Sequence, residues 1–183
     1  MTERPILFNG DMVRAILRGQ KTQTRRPVKP QPDMVRPRKR FDDARWKSWS
    51  CPLGKPGDRL WVRETFAYEP DFGVAYRADE GDEFPGMERQ KWTPSIHMPR
   101  ALSRITLGIT AVHPERVQDI TEDEAIKEGV VDPVMGTYGM NPKTVFRDLW
   151  NDIYAKTGFG WDANPWVWVI NFKRVEDKSC PKN

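Results

Sequence analysis

Hydrophobic positions along the chain follow two periods. Val13, Ile16 and Leu17 recur at helical spacing between Asp11, which predicts an N-cap, and Gly19, which predicts the stop. A second helix is expected to open on the capping box Thr121-Glu122-Asp123-Glu124 and to end at Gly129. A third, from Asn141-Pro142 to Gly158, would bury Val145, Leu149 and Ile153, with Phe146 and Trp150 alongside. The other period is two. Leu60 and Val62 alternate with charge in Arg59–Glu64, and Ile105, Leu107, Ile109 and Ala111 alternate with Thr106, Gly108 and Thr110. Trp166–Phe172 is an almost continuous β-forming run. Together these strands supply a barrel. Trp166 and Trp168 share one face of the last strand, which predicts core packing for at least one of them, whereas Trp161, beside Gly160 and Asp162, offers a face on which a base can stack.

Two stretches break the pattern. Residues 27–56 are rich in Pro, Arg and Lys, and residues 69–94 mix charge with scattered Gly and Pro. Both read as insertions into a single domain spanning 1–183. Trp46 and Trp49 are expected to pin the far end of the first, and Val74-Ala75-Tyr76 to form a short strand in the second.

Composition supports a packed core: 38% of the 183 residues are hydrophobic and eight are Trp. No apolar run is long enough for a membrane span, and no apolar segment follows Glu3 and Arg4 as a signal peptide would require, so a soluble cytoplasmic protein is expected. Cys51 and Cys180 lie far apart and only His97 and His113 could join them, which predicts free thiols, no metal and no cofactor. The net charge of +4 is unevenly spread: residues 1–47 carry 13 Lys and Arg against 5 Asp and Glu, the remainder 17 against 21. The basic end, with Arg38, Lys39 and Arg40, is the expected polyanion side.

The segment Gly19-Gln20-Lys21-Thr22-Gln23-Thr24-Arg25-Arg26 follows the first helix directly. In a turn, Lys21 and Thr24 can face one cleft; in a regular strand an offset of three sends them to opposite faces. A lysine withdrawn from water can take the proton of a threonine hydroxyl and make it a nucleophile, with a carboxylate to complete a triad. The same residues, with Arg25 and Arg26, would equally bind phosphate, and Thr24 could simply cap a turn. His97, between Ile96 and Met98-Pro99, is either a base-edge donor or a structural residue.

The order of Gly19-x-Lys21-Thr22-x-Thr24-x-Arg26, Gly57-Asp58-Arg59-Leu60-Trp61-Val62-Arg63-Glu64, Gln118-Asp119-Ile120-Thr121 with Glu128 closing its helix, and a strand ending Phe172-Lys173 resembles the ASCH family. Ser95–Pro99 and Trp161–Trp168 resemble the larger ASCH proteins of phages and prophages. The resemblance implies an α+β, PUA-like β-barrel with flanking helices, which handles RNA or a modified nucleoside. Some small members are amidohydrolases that remove the acetyl group of N4-acetylcytidine with Lys, Thr and Glu, and a member with ribonuclease activity is known. By position in the motif, Lys21, Thr24 and Glu128 would be these three catalytic residues; the charge and placement of Arg25, Arg26, Arg38, Lys39, Arg40, His97 and Trp161 make them the expected ligand-binding residues. A non-catalytic RNA- or DNA-binding module and a ribonuclease are the alternatives. The chain departs from the small amidohydrolases in its two insertions, the first of which adds positive charge suited to a polymer.

Overall fold

The computed structural model describes residues 1–32, 50–69, 73–79, 91–130 and 139–175. Five strands form one sheet: β1 (Glu3–Leu7), β2 (Gln23–Pro27), β3 (Arg59–Arg63), β6 (Thr106–Arg116) and β7 (Trp166–Val175), in the order β1-β3-β6-β7-β2. β1 runs parallel to β3, and every other pairing is antiparallel. β4 (Phe66–Glu69) and β5 (Gly73–Tyr76) make a separate antiparallel pair, so the strand expected at 74–76 is present and has a partner. Among the described residues the α-helices are α1 (Gly10–Leu17), α2 (Glu122–Lys127) and α3 (Pro142–Tyr154). The fold is α+β, and among the described residues its sheet is not a closed barrel. No ladder joins β1 to β2 among the described residues; instead Arg26 Nη2 donates to the Leu7 carbonyl at 2.9 Å, a side-chain clasp across the two edges.

β7 explains the continuous apolar run, because both of its faces are covered. Trp168, Ile170 and Phe172 join the first core with Ile6, Phe8, Val13, Ile16, Leu60, Val62, Leu107 and Ile109, under α1. Val167 and Val169 point the other way, into a second core with Val117, Ile120, Ala125, Phe146 and Trp150, under α2 and α3. Trp168 is buried, and Trp166 packs partly buried against the first core.

Three local expectations shift. Asn9, rather than Asp11, caps α1, its Oδ1 accepting the Met12 N–H at 2.9 Å, while Asp11 pairs with Arg14 in the first turn. On α3 the buried side chains are Phe146 and Trp150; Ile153 is exposed, since the helix packs on the 146/150 side of its apolar stripe. A β-bulge between Ile109 and Ala111 adds one residue to β6, so Val112, not Ala111, returns to the first core opposite Ile170. Trp46 and Trp49 lie outside the described residues, and the described end of the first insertion is seated by Cys51 and Leu53 against the first core.

Asp58 ties the start of β3 to the N-terminus. Its Oδ1 accepts the Thr2 N–H at 2.7 Å and its Oδ2 the Lys55 N–H at 3.2 Å. The Thr2 amide chiefly, with Lys55 against an opposing burial effect, lowers its pKa from 3.8 to about 2. This contribution is fully present above pH 3.8 and lost as pH falls through about 2. Urea denaturation as a function of pH is therefore expected to show that Asp58→Asn is less stable than wild type at neutral pH, with the gap closing between about pH 4 and pH 2; a constant gap would contradict this role.

Candidate functional site

The turn after α1 brings the segment 19–22 against the end of α2. Gly19 adopts φ +75° at the end of α1, and the Ala15 carbonyl accepts the N–H of both Gln20 (2.9 Å) and Lys21 (3.1 Å). Thr22 N–H then donates to the Lys127 carbonyl at 2.9 Å, and the Thr22 carbonyl accepts the Phe172 N–H at 2.9 Å. At the end of α2, Gly129 (φ +78°) lets the chain turn beneath this segment; a Cβ there would lie 2.8 Å from Ala15 Cβ and 3.0 Å from Lys21 Cβ.

Within this contact, Lys21 and Glu128 meet across 107 positions of sequence. Lys21 Nζ donates to the Glu128 carbonyl at 2.7 Å and to its Oε2 at 2.9 Å, and stands 5.4 Å from the centroid of the buried Phe8 ring. The Lys21 side chain has no exposed surface and that of Glu128 only 5%. Burial lowers the Lys21 pKa below its usual 10.5; Glu128 opposes the shift, and the positive charges of Arg26 and Arg25 add to it.

Thr24 and Arg25 lie on β2, where the strand alternation separates them. Thr24 is opposite Ile170, on the side of the first core, and is buried. Arg25 is opposite Val169, on the side of the second. Lys21 precedes the strand and escapes its alternation: its ammonium reaches both Glu128 and the ring of Phe8, a member of the first core, toward which Thr24 faces. Among the described residues Lys21 Nζ donates its two hydrogen bonds to Glu128 and none to Thr24.

Arg25 is fully buried and faces carboxylates of its own chain. Nη1 donates to Glu128 Oε1 at 3.1 Å and to Gln23 Oε1 at 3.0 Å, and Nε to Glu115 Oε1 at 2.7 Å. Nη2 stands 2.6 Å from the same Glu115 oxygen and 3.3 Å from Glu124 Oε2, off the hydrogen-bond axis. Burial raises the Glu115 pKa against the pull of Arg25; Glu124, although burial pushes it up, is lowered by the Thr121 N–H and Arg25.

Of the remaining sequence-selected residues, Arg26 borders this centre and the others that are described stand apart from it. Arg26 spans the β1–β2 seam, bonding the carbonyls of Leu7 and Arg25 and lying 5.4 Å from the Phe8 centroid. His97 is exposed on a short 3-10 turn that Arg63 fastens through the Ile96 and Met98 carbonyls. Trp161 is half-buried, edge-on to Phe146 at 6.2 Å. Arg38, Lys39 and Arg40 lie outside the described residues. Phe8, Gln23, Glu115 and Glu124 were not legible as site residues: their polar or apolar identities acquire meaning only once β2 is seen to run between two cores. Among the described residues, no group of three His, Cys, Asp or Glu side chains could hold a metal ion, and no helix is long and apolar enough to cross a membrane.

No family model and no curated protein matches the chain. Among solved structures, it is similar to protein EF3133 of Enterococcus faecalis V583, of family DUF984, with a TM-score of 0.50 at 9% identity, over 100% of this chain and 86% of that one. It is also similar to an ASCH domain from Lactobacillus crispatus JV V101 (TM-score 0.44, 14% identity, covering 94% and 79%) and to hypothetical protein PH0355 (TM-score 0.42, 11% identity, covering 95% and 100%). The likeness to the Enterococcus protein is one of fold alone.

Gly129 provides a direct check of the packing around Lys21. Gly19 and Gly129 both have positive φ, but a Cβ at Gly19 would meet nothing within 4 Å. Gly129→Ala is expected to lower stability more than Gly19→Ala, by about 1 kcal/mol or more beyond the strain the two share; thermal denaturation giving equal losses would show that α2 does not press on Lys21.

Proposed function

We propose that the protein handles RNA or a modified nucleoside, and that it is an amidohydrolase removing the acyl group from an N4-acylated cytosine. The observation that carries this reading is the buried Lys21–Glu128 pair. A phosphate-binding lysine has to meet its ligand, whereas the Lys21 side chain is withdrawn from solvent, held by a carboxylate and shifted toward its neutral form. These are the properties of a proton-transfer group. The order of ASCH-like motifs supports the same choice.

In this reaction Lys21 Nζ takes the Thr24 hydroxyl proton as Oγ1 attacks the acyl carbonyl carbon. The tetrahedral intermediate collapses with cleavage of the C–N bond, the proton passing from Lys21, by way of Glu128, to the departing cytosine amine. Water then attacks the Thr24 ester and gives its proton to the same pair, releasing the carboxylic acid and restoring the hydroxyl. Thr24 has to approach Lys21 when substrate enters, since the ammonium is engaged with Glu128 in the free protein. The basic stretch containing Arg38, Lys39 and Arg40 favours acylated RNA over the free nucleoside.

Incubation with N4-acetylcytidine and with acetylated RNA, followed by mass analysis, is expected to give the deacetylated product. Lys21→Met should lower kcat by about 100-fold or more, Thr24→Ala should abolish turnover, and Thr24→Ser should retain part of it. Because the base must be neutral, kcat should rise with pH and level off below the usual range of a lysine. Product formation by Thr24→Ala would remove the nucleophile, and no product from wild type on either substrate would leave a binding module.

A further inference from the structure

The Glu128 carboxylate has two oxygens, and only one belongs to Lys21. The other, Oε1, accepts Arg25 Nη1 at 3.1 Å. Arg25 is itself fixed from the far side by Glu115, through Nε at 2.7 Å, and Gln23 accepts from the same Nη1 at 3.0 Å while being held by Asn171 of β7 at 2.9 Å. A guanidinium is a rigid planar fork, so anchoring Nε on Glu115 determines where Nη1 lies. The carboxylate it meets therefore cannot rotate to offer both oxygens to the lysine.

We propose that Arg25 is a positioning residue of this site: braced by Glu115, it occupies one oxygen of Glu128 and leaves Lys21 the other. The inference rests on the proton-transfer reading of Lys21 given above. Its consequence is electrostatic as well as geometric. Arg25 withdraws part of the carboxylate from Lys21 and adds a positive charge nearby, and Glu115 compensates that charge. The titratable and charged groups around this centre are Lys21, Arg25 and Arg26 from the 19–27 segment, Glu124 and Glu128 from the α2 end, and His113 and Glu115 from β6, where His113 Nε2 lies 3.7 Å from Glu115 Oε2.

The brace predicts shifts of opposite sign from neighbouring substitutions, which a purely structural role does not. The experiment is an NMR titration of 13C-labelled lysine side chains in the full chain, with Lys21 assigned from the Lys21→Met variant and no substrate present. Arg25→Gln is expected to raise the Lys21 titration midpoint by about one unit, because Glu128 is freed and a positive charge is removed. Glu115→Gln is expected to lower it, because Arg25 loses its compensating charge. Glu115 lies nearer the surface, its side chain 16% exposed, so if Arg25→Gln does not fold, Glu115→Gln alone decides. An unchanged or raised midpoint in Glu115→Gln overturns the proposal, as does a fall in a folded Arg25→Gln. In the catalytic assay, the rising limb of the kcat profile should move in step with each midpoint. Opposite shifts in a protein that releases no product would support the brace and remove the amidohydrolase, so the two can fail separately.

Discussion

An ammonium group taken out of water carries a penalty of several kcal/mol unless a carboxylate and further acceptors replace its hydration. Lys21 meets that requirement with a single residue, through the backbone carbonyl and the side chain of Glu128. The arrangement depends on two chain ends meeting. The turn after α1 supplies the lysine and the last turn of α2 the carboxylate, and the backbone bond from Thr22 to Lys127 holds them in register. From the same contact β2 departs into the sheet with Thr24 on one face and Arg25 on the other, so the centre lies where the first core, the second core and the open β1–β2 seam converge.

Much of the frame was legible in the sequence because it is written in local chemistry. The capping box at Thr121, the Pro at the start of α3 and the alternation in 59–63 need no distant partner to be read, and each forms where expected. What was missed is decided by distant partners. β1 and β2 have little apolar alternation of their own; Glu3-Arg4-Pro5 and Gln23-Thr24-Arg25-Arg26 become strands because β3 and β7 offer them edges. Likewise Arg25 reads as a phosphate- or ligand-binding cation in sequence, and only the convergence of Glu115, Glu124 and Glu128 from two other elements explains its burial.

The pairing of Lys21 with Glu128 was anticipated by position in the motif, and their contact gives it a physical content: a lysine whose ammonium is bonded inside the fold rather than offered to solvent. The division of labour along 21–26 then follows from parity. Lys21, outside the strand, reaches the carboxylate; Thr24 faces the first core; Arg25 faces the acidic side of α2; and Arg26 closes the seam to Leu7. One short basic segment thus faces four different surroundings because a strand begins in its middle.

The claim on which the account rests is that Lys21 and Glu128 are directly coupled inside the fold. A double-mutant cycle of Lys21→Met and Glu128→Gln, read by equilibrium denaturation, measures that coupling. The double variant is expected to lose less stability than the two single losses combined, by about 1 kcal/mol or more. Losses that add to within about 0.3 kcal/mol would contradict it.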